Sequence, residues 1–307
     1  MTEKNIFSEA YTNDICKVFE DNVRYDAPLS TSTDNGGFKR LKDANLSDNF
    51  MFAKVMSDPT ILKEFLQIVL GIKIRRIVMT QYEKTIFPDP AAKSIRLDVY
   101  ADDSHNRKYS VEMQGYVEYN IGRRSRYYQS VIDIDSLSRG QGYERLSDAF
   151  VIFVCTYDPF GAGMQKYVFQ KRCINADSGI TLNDGVSTVI LTDNSGDPVI
   201  NEFFKYLKNS TYEEAERSES RLIKLINQKV EKVRFDPALE VEYMRFQELQ
   251  REQFNRGLQQ GREQGIAENQ LAIIKNMLNM DMTDDTIQTV TGCTAEYLAS
   301  VKKSIPN

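Results

Sequence analysis

The sequence predicts an α/β protein: a mixed central sheet flanked by helices, followed by a C-terminal helical region. Three observations carry this reading. Segments alternating apolar and polar with period two, at 94–101 and 109–114, lie between stretches of helical spacing. The run FVIFVCTY at 150–157 is almost wholly apolar, as a central strand covered on both faces must be. After about residue 209 the strand patterns stop, and charges of both signs crowd segments of helical period.

Taken in chain order, residues 1–43 are polar and irregular, with STSTDNGG at 30–37 reading as loop and DICKVFEDNV at 14–23 as a short helix. Order is expected from Asn45, with Ser47 capping a helix through Phe50, Phe52, Val55 and Met56. Pro59 starts a second helix, and Gly71 stops it. Strands are expected at Ile74–Tyr82, Ser94–Ala101 and Tyr109–Gln114, the last two joined by a hairpin through DDSHNRK. A helix over Asn120–Ser138, the apolar strand, strands at Tyr167–Arg172 and Val186–Thr192, and a helix from Pro198 to Leu207 complete a domain over 44–209. Long charged helices follow over 210–266. One carries the stripe Leu222, Leu225, Ile226, Val230 and Val233, and the next is capped by Asp236 and begun by Pro237. Gly257, Gly261 and Gly265 recur there every four residues, a series that allows close helix packing or a flexible link. A small module over 267–307 then holds helices at 267–280, 283–290 and 294–303, the last two capped by Thr283 and Thr294.

The 307 residues are 41% hydrophobic and 27% charged, ordinary values for a chain of roughly two domains with a sizeable core. No stretch reaches the roughly 20 apolar residues that span a bilayer, and no basic cap with an apolar run opens the chain. A cytoplasmic protein is expected. Its four cysteines are widely separated and its single histidine, His105, sits in a polar run. Those counts exclude zinc fingers, disulfide frameworks, multi-histidine metal centres and HExxH proteases, and they leave a Ser-His-Asp triad without a suitable base. A net charge of −5 argues against nucleic-acid binding by bulk charge but allows a local basic groove.

Carboxylates remain the available chemistry. Asp98 lies mid-strand on the opposite parity from Leu97 and Val99, while Glu112 and Gln114 share one face of the next strand. The hairpin brings Asp98 alongside Glu112, and two carboxylates can share Mg²⁺ or Mn²⁺, ions that favour hard oxygen ligands. Such an ion would polarise a phosphate and acidify a bound water. Without further context, the same pattern describes a solvent-facing amphipathic hairpin.

Five pieces, in order, supply that context: LSDNFMFAKVM, RLDVYA, VEMQGYVEYNIGRRSRYY, SRGQGYERL and FVIFVCTYDPF. Together they resemble the PD-(D/E)XK nuclease superfamily over about Leu41 to Leu207, and its branch of recombination-promoting nucleases and transposases in particular. The glycine-punctuated RGLQQGREQGIAENQLAIIKNML is similar to that branch's C-terminal end. The resemblance implies an αβββαβ, restriction-endonuclease-like core. Asp98 would be the metal-binding strand aspartate and Glu112 the acidic residue of the (D/E)-x-K element. Gln114 would stand in the lysine's place, and Asp48 would be the first-helix acid, an outer metal or water ligand. Leu97 replaces the motif's proline. Gln114 offers dipoles where lysine offers charge.

The helix after the hairpin carries Arg123, Arg124 and Arg126, with Arg123/Tyr127 and Arg124/Tyr128 spaced to share faces. An arginine from this set is expected to face the site, grip phosphate and replace the missing lysine's charge. The function expected is a Mg²⁺- or Mn²⁺-dependent DNA endonuclease linked to recombination or mobile DNA. The alternatives are a catalytically degenerate DNA-binding or regulatory protein, and an oligomeric interaction protein. The C-terminal helices are expected to support a homo-oligomer rather than read DNA, because acidic Asp281, Asp284, Asp285 and Glu296 outnumber Lys302 and Lys303 there.

Overall fold

The computed structural model describes residues 39–86, 93–175 and 179–304. The loop and short helix expected at 30–37 and 14–23 lie outside the described residues. Order begins before Asn45: Leu41–Asp43 form a 3-10 turn, and Lys39 and Leu41 are tied by backbone hydrogen bonds to the side chains of Gln247 and Glu240.

Helices α1 (Asn49–Met56) and α2 (Pro59–Leu70) precede strands β1 (Ile77–Ile86), β2 (Ile95–Asp103) and β3 (Lys108–Gln114). Helix α3 (Ile121–Ser136) leads to β4 (Ala149–Cys155), β5 (Lys166–Phe169) and β6 (Val186–Thr192). The strands form one six-stranded sheet in the order β1-β2-β3-β4-β6-β5. β1, β2 and β3 run antiparallel, β3-β4-β6 run parallel, and β5 returns antiparallel on the edge. The mixed sheet follows from the connections. A four-residue turn joins β2 to β3, whereas β3 to β4 crosses over through α3.

The central strands are covered twice. Ile152 and Val154 of β4 enter a core shared with α1 and α2, while Val151, Phe153 and Cys155 enter a second core with α3. β3 departs from this pattern. Tyr109, Val111 and Met113 enter the first core, but their alternates Ser110, Glu112 and Gln114 bring only polar groups to the α3 side, and all three are buried.

The hairpin that sets β2 against β3 is clamped at its turn. The buried Asp103 carboxylate accepts from the backbone N–H groups of His105 and Arg107, from Arg107 Nε at 2.7 Å and from the Tyr109 hydroxyl at 2.9 Å. Burial works to raise its pKa, but these hydrogen bonds, Arg107's first among them, hold it below the usual carboxylate range. Asn106 takes the left-handed backbone (φ +61°) that closes the turn. His105 lies exposed in this turn.

Helices α4 (Pro198–Lys208), α5 (Tyr212–Arg217) and α6 (Arg221–Arg234) follow the sheet. The expected boundary at 209 does not separate packing units. Leu222, Ile223, Ile226, Val230 and Val233 of α6 lie in the first core with α1, α2 and β3, and Tyr243 and Phe246 join them. The charges of this segment decorate one face of a helix whose other face is core.

Helix α7 runs unbroken from Pro237 to Asn279, capped as expected by Asp236. The three glycines do not interrupt it, and the helix expected to start at 267 is its continuation. Gly257, Gly261 and Gly265 keep helical geometry, unlike Gly71 and Gly292, whose positive φ ends α2 and the helix α8 (Asp284–Thr291). Each interior glycine costs only about 1 kcal/mol relative to alanine, which flanking helix formers can absorb. Residues 248–269 are exposed throughout. The end of α7 packs with α8 and α9 (Ala295–Ser304) through Ile274, Met277, Ile287, Cys293, Leu298 and Val301. Thr283 and Thr294 accept the expected capping bonds. Val290 is exposed, and Lys302 is paired with Asp284.

This packing predicts where the chain can be cut. Ending it after Gln250 should leave a cooperative thermal transition near that of the intact protein. Ending it after Tyr212 should abolish the transition in circular dichroism. The second cut strips five core aliphatics, each worth about 1.5–3 kcal/mol of burial, against a typical total stability of about 5–15 kcal/mol.

Candidate active site

The β2-β3 ladder ends at Val99 opposite Val111, and the next position along it places Asp98 beside Glu112. There the Asp98 side chain replaces a ladder partner: its Oδ2 accepts from the Met113 N–H at 2.9 Å. Ser110, two residues back on the same strand face, donates to Glu112 Oε1 at 2.6 Å. Each carboxylate is thus oriented through one oxygen. Glu112 Oε2 has no hydrogen-bond partner although Glu112 is completely buried. Among the described residues, no hydrogen bond reaches Asp98 Oδ1.

Of the three arginines on α3, Arg124 turns inward. Its Nη1 donates to Gln114 Oε1 at 2.7 Å, its Nε donates to the Tyr128 hydroxyl at 3.0 Å, and its Nη2 lies 3.6 Å from Glu112 Oε2. The guanidinium also sits over the rings of Tyr128 and Phe153, at 5.1 and 5.4 Å from their centroids. Arg123 and Arg126 point outward, as the 100° step of a helix requires when Arg124 faces the sheet. The i, i+4 pairing of Arg124 with Tyr128 is present. Tyr127 instead donates to the Lys93 carbonyl.

Gln114 is nearly fully buried and spans the site. Its Oε1 accepts from Arg124, and its Nε2 donates to the Tyr116 carbonyl at 2.8 Å. It therefore fixes both a cation and the loop that follows β3.

Asp48, expected as an outer ligand, has another task here. It, not Ser47, is the N-cap of α1: Oδ1 accepts from the N–H groups of Phe50 and Met51, and Oδ2 accepts from the Tyr243 hydroxyl at 2.8 Å. No hydrogen bond or ion pair joins it to Asp98, Glu112 or Arg124 among the described residues.

Electrostatics sets this pair apart from Asp103. Burial raises the pKa of Asp98, and the hydrogen bond from Met113 only partly offsets it. Burial raises that of Glu112 further, with the neighbouring Asp98 charge adding to it. Two carboxylates share a site in which Arg124 makes the ion pair, while Arg96 also favours the charged form of Asp98. The oxygens left open suit a hard divalent cation, and Glu112 Oε2 in particular accepts no hydrogen bond and has only the 3.6 Å ion pair with Arg124. Among the described residues no cluster of three or more Asp, Glu, His or Cys forms, so the chain would supply two carboxylates and leave the other positions to water or phosphate.

Residues 49–236, more than half the chain, match the model of the PD-(D/E)XK nuclease family transposases. The chain belongs to that family. No curated protein and no solved structure matches it. The six-stranded sheet with flanking helices is consistent with the PD-(D/E)XK α/β fold, and the match extends through α6, the helix that completes the first core.

Sequence reasoning missed Ser110 as the group orienting Glu112. Its signal is the two-residue spacing, which places both on one strand face. It also left open which arginine turns inward, and it gave Gln114 no part in holding that arginine.

The raised pKa of Glu112 has a stability consequence. A carboxyl whose folded value lies above its unfolded value binds more protons when folded, so the protein should lose stability as pH rises from the ordinary glutamate value of 4.5 to about 8. Above that the loss is complete. Glu112→Gln should therefore melt above wild type at pH 8, with the two converging near pH 5. At about 2–4 °C per kcal/mol for a domain of this size, the gap is measurable by differential scanning fluorimetry. A gap independent of pH would assign the effect to packing.

Proposed function

We propose that this chain is a divalent-metal-dependent endonuclease that hydrolyses DNA phosphodiester bonds, with Asp98 and Glu112 as metal ligands and Arg124 and Gln114 completing the site. One observation carries the reading. A fully buried glutamate with an open oxygen lies beside a second carboxylate and an inward arginine, on the hairpin where the family has its acidic residues. Mg²⁺ or Mn²⁺ bound there would polarise the scissile phosphate and acidify a water. Before it can bind, Glu112 must give up the proton that burial favours. Ser110 then holds Oε1, leaving Oε2 directed into the site. Arg124 keeps Nη2 near the acidic pair, where a phosphate oxygen entering the site can accept from it and charge building up on the phosphorus oxygens is offset. Gln114 carries no charge to contribute. It positions Arg124, which brings the cation that lysine would otherwise supply.

DNA would approach over the outer side of α3, where Arg123 and Arg126 are exposed. A link to recombination or mobile DNA is part of this proposal and rests on the family description. Self-association is also part of the proposal, and is supported by the exposed stretch 248–269 of α7, which presents Leu249, Phe254, Leu258 and Ile266 with no covering element among the described residues. No helix among the described residues is long and apolar enough to cross a membrane.

Incubating supercoiled plasmid with Mg²⁺ or Mn²⁺ should yield nicked or linear product, and EDTA should stop the reaction. Asp98→Ala and Glu112→Ala should each abolish it, with the double variant no worse than either single one, because each empties the same site. Arg124→Gln should slow cutting by about 10²–10³-fold, the range for loss of one preorganised charge donor. Undiminished cutting by folded Glu112→Ala protein would end this assignment, and DNA binding without cutting by wild type would make the protein a binding module.

Replacing Arg123 and Arg126 together with glutamine should weaken duplex binding and lower the slope of log K against log salt by about 0.9 per lost phosphate contact. The slope is read from fluorescence anisotropy titrations at several salt concentrations. An unchanged slope would move the DNA path off this helix.

A further inference from the structure

We infer that the loop over 115–120 is a base-stacking platform, and that the preferred substrate has unpaired bases beside the scissile phosphate: single-stranded, gapped or branched DNA rather than intact duplex. This rests on the nuclease reading for the position of the scissile phosphate, but not for the stacking itself. Tyr116 and Tyr119 are 69% and 68% exposed, two large rings presented by one six-residue loop. Their backbone, by contrast, is held. Gln114 Nε2 donates to the Tyr116 carbonyl at 2.8 Å, the Glu118 N–H donates to the Tyr157 hydroxyl at 2.8 Å, and Glu118 Oε1 accepts from the Asn120 N–H. The loop thus presents two aromatic rings from a fixed frame.

Its position identifies the occupant. The loop starts directly after Gln114, and the first turn of the helix it leads into carries Arg124, which reaches back to Gln114 and Glu112. Both ends of the loop are therefore built into the candidate active site. The same helix presents Arg123 and Arg126 to solvent, and neither makes an ion pair among the described residues. Aromatic faces next to unpaired cations, bordering a phosphate-cutting centre, match a nucleic-acid strand: bases on the rings, phosphates on the arginines. A duplex keeps its base faces stacked inside and offers the tyrosines nothing of comparable area. An acidic peptide would use the arginines and leave the rings without partners.

The test uses the full chain carrying Asp98→Asn, so that binding is measured without cleavage. Fluorescein-labelled 20-mers, one single-stranded and one blunt duplex, are titrated by anisotropy with EDTA present. The single strand should bind more tightly than the duplex. Tyr116→Ala with Tyr119→Ala should weaken single-strand binding by at least about tenfold, as expected for loss of base-aromatic stacking, and change duplex binding little. Tyr116→Phe with Tyr119→Phe should bind as the parent does, because the ring and not the hydroxyl is needed. Quenching of 2-aminopurine placed in the single strand should be lost with the alanine pair and kept with the phenylalanine pair. Equal loss on single strand and duplex, or unchanged single-strand binding by the alanine pair, would overturn the inference. If plasmid cutting fails while ring-dependent single-strand binding persists, the nuclease reading falls and the stacking platform stands.

Discussion

A carboxylate held out of water with one oxygen lacking a partner is among the costlier features a folded chain can carry. Much of this structure serves to hold Glu112 in that state. β3 lies between β2 and β4, and α3 reaches over one of its faces through Arg124, where Ser110, Glu112 and Gln114 are buried. Ser110 fixes one Glu112 oxygen, and Asp98 is turned toward the same place by the Met113 N–H. The hairpin that aligns these residues is held by Asp103, a carboxylate with the opposite solution: four hydrogen bonds and a lowered pKa. One acid in this sheet is satisfied by the protein and serves geometry, while the other is left open. The open one is where a cation gains most from binding.

On the proposed assignment, Gln114 in the place of the motif's lysine alters how charge enters the site. A lysine two residues beyond Glu112 would bring its ammonium along the strand. Here the strand supplies an amide, and the charge comes from a helix one crossover later. Arginine suits that route. Its planar fork satisfies Gln114, Tyr128 and the acidic pair from separate nitrogens, and its face lies over Tyr128 and Phe153. Gln114 then joins two functions, since its other amide edge holds the loop that carries Tyr116. A charge carried on the helix rather than the strand thus couples the candidate site to the surface beside it.

The helices after the sheet divide by what they bury. α6 closes the first core and is as much part of the fold as α1 and α2. The first turns of α7 finish that core through Tyr243 and Phe246, and Tyr243 also secures Asp48 at the start of α1. Beyond them α7 leaves the core, crosses 22 exposed residues, and ends in a separate small cluster with α8 and α9. One helix therefore serves first as core and then as an exposed arm.

Local patterns determined a good deal of this protein. Alternation at 94–101 and 109–114 marks the two site strands and places Asp98 beside Glu112, because strand periodicity and a short turn leave little choice of register. Gly71, Asp236, Thr283 and Thr294 mark helix ends through chemistry confined to one turn. Other features depended on contacts between distant segments. Asp48 reads as a site acid until Tyr243, 195 residues away, takes its second oxygen. Arg123, Arg124 and Arg126 are equivalent on paper, and only the rotation of α3 against the sheet selects Arg124. The apolar stripe of α6 is legible within its charged segment, but the surfaces of α1 and α2 that it packs against are not. Helical and strand periods are written residue by residue. The rotation of an element, and the surface it packs against, are settled only when the whole core is assembled.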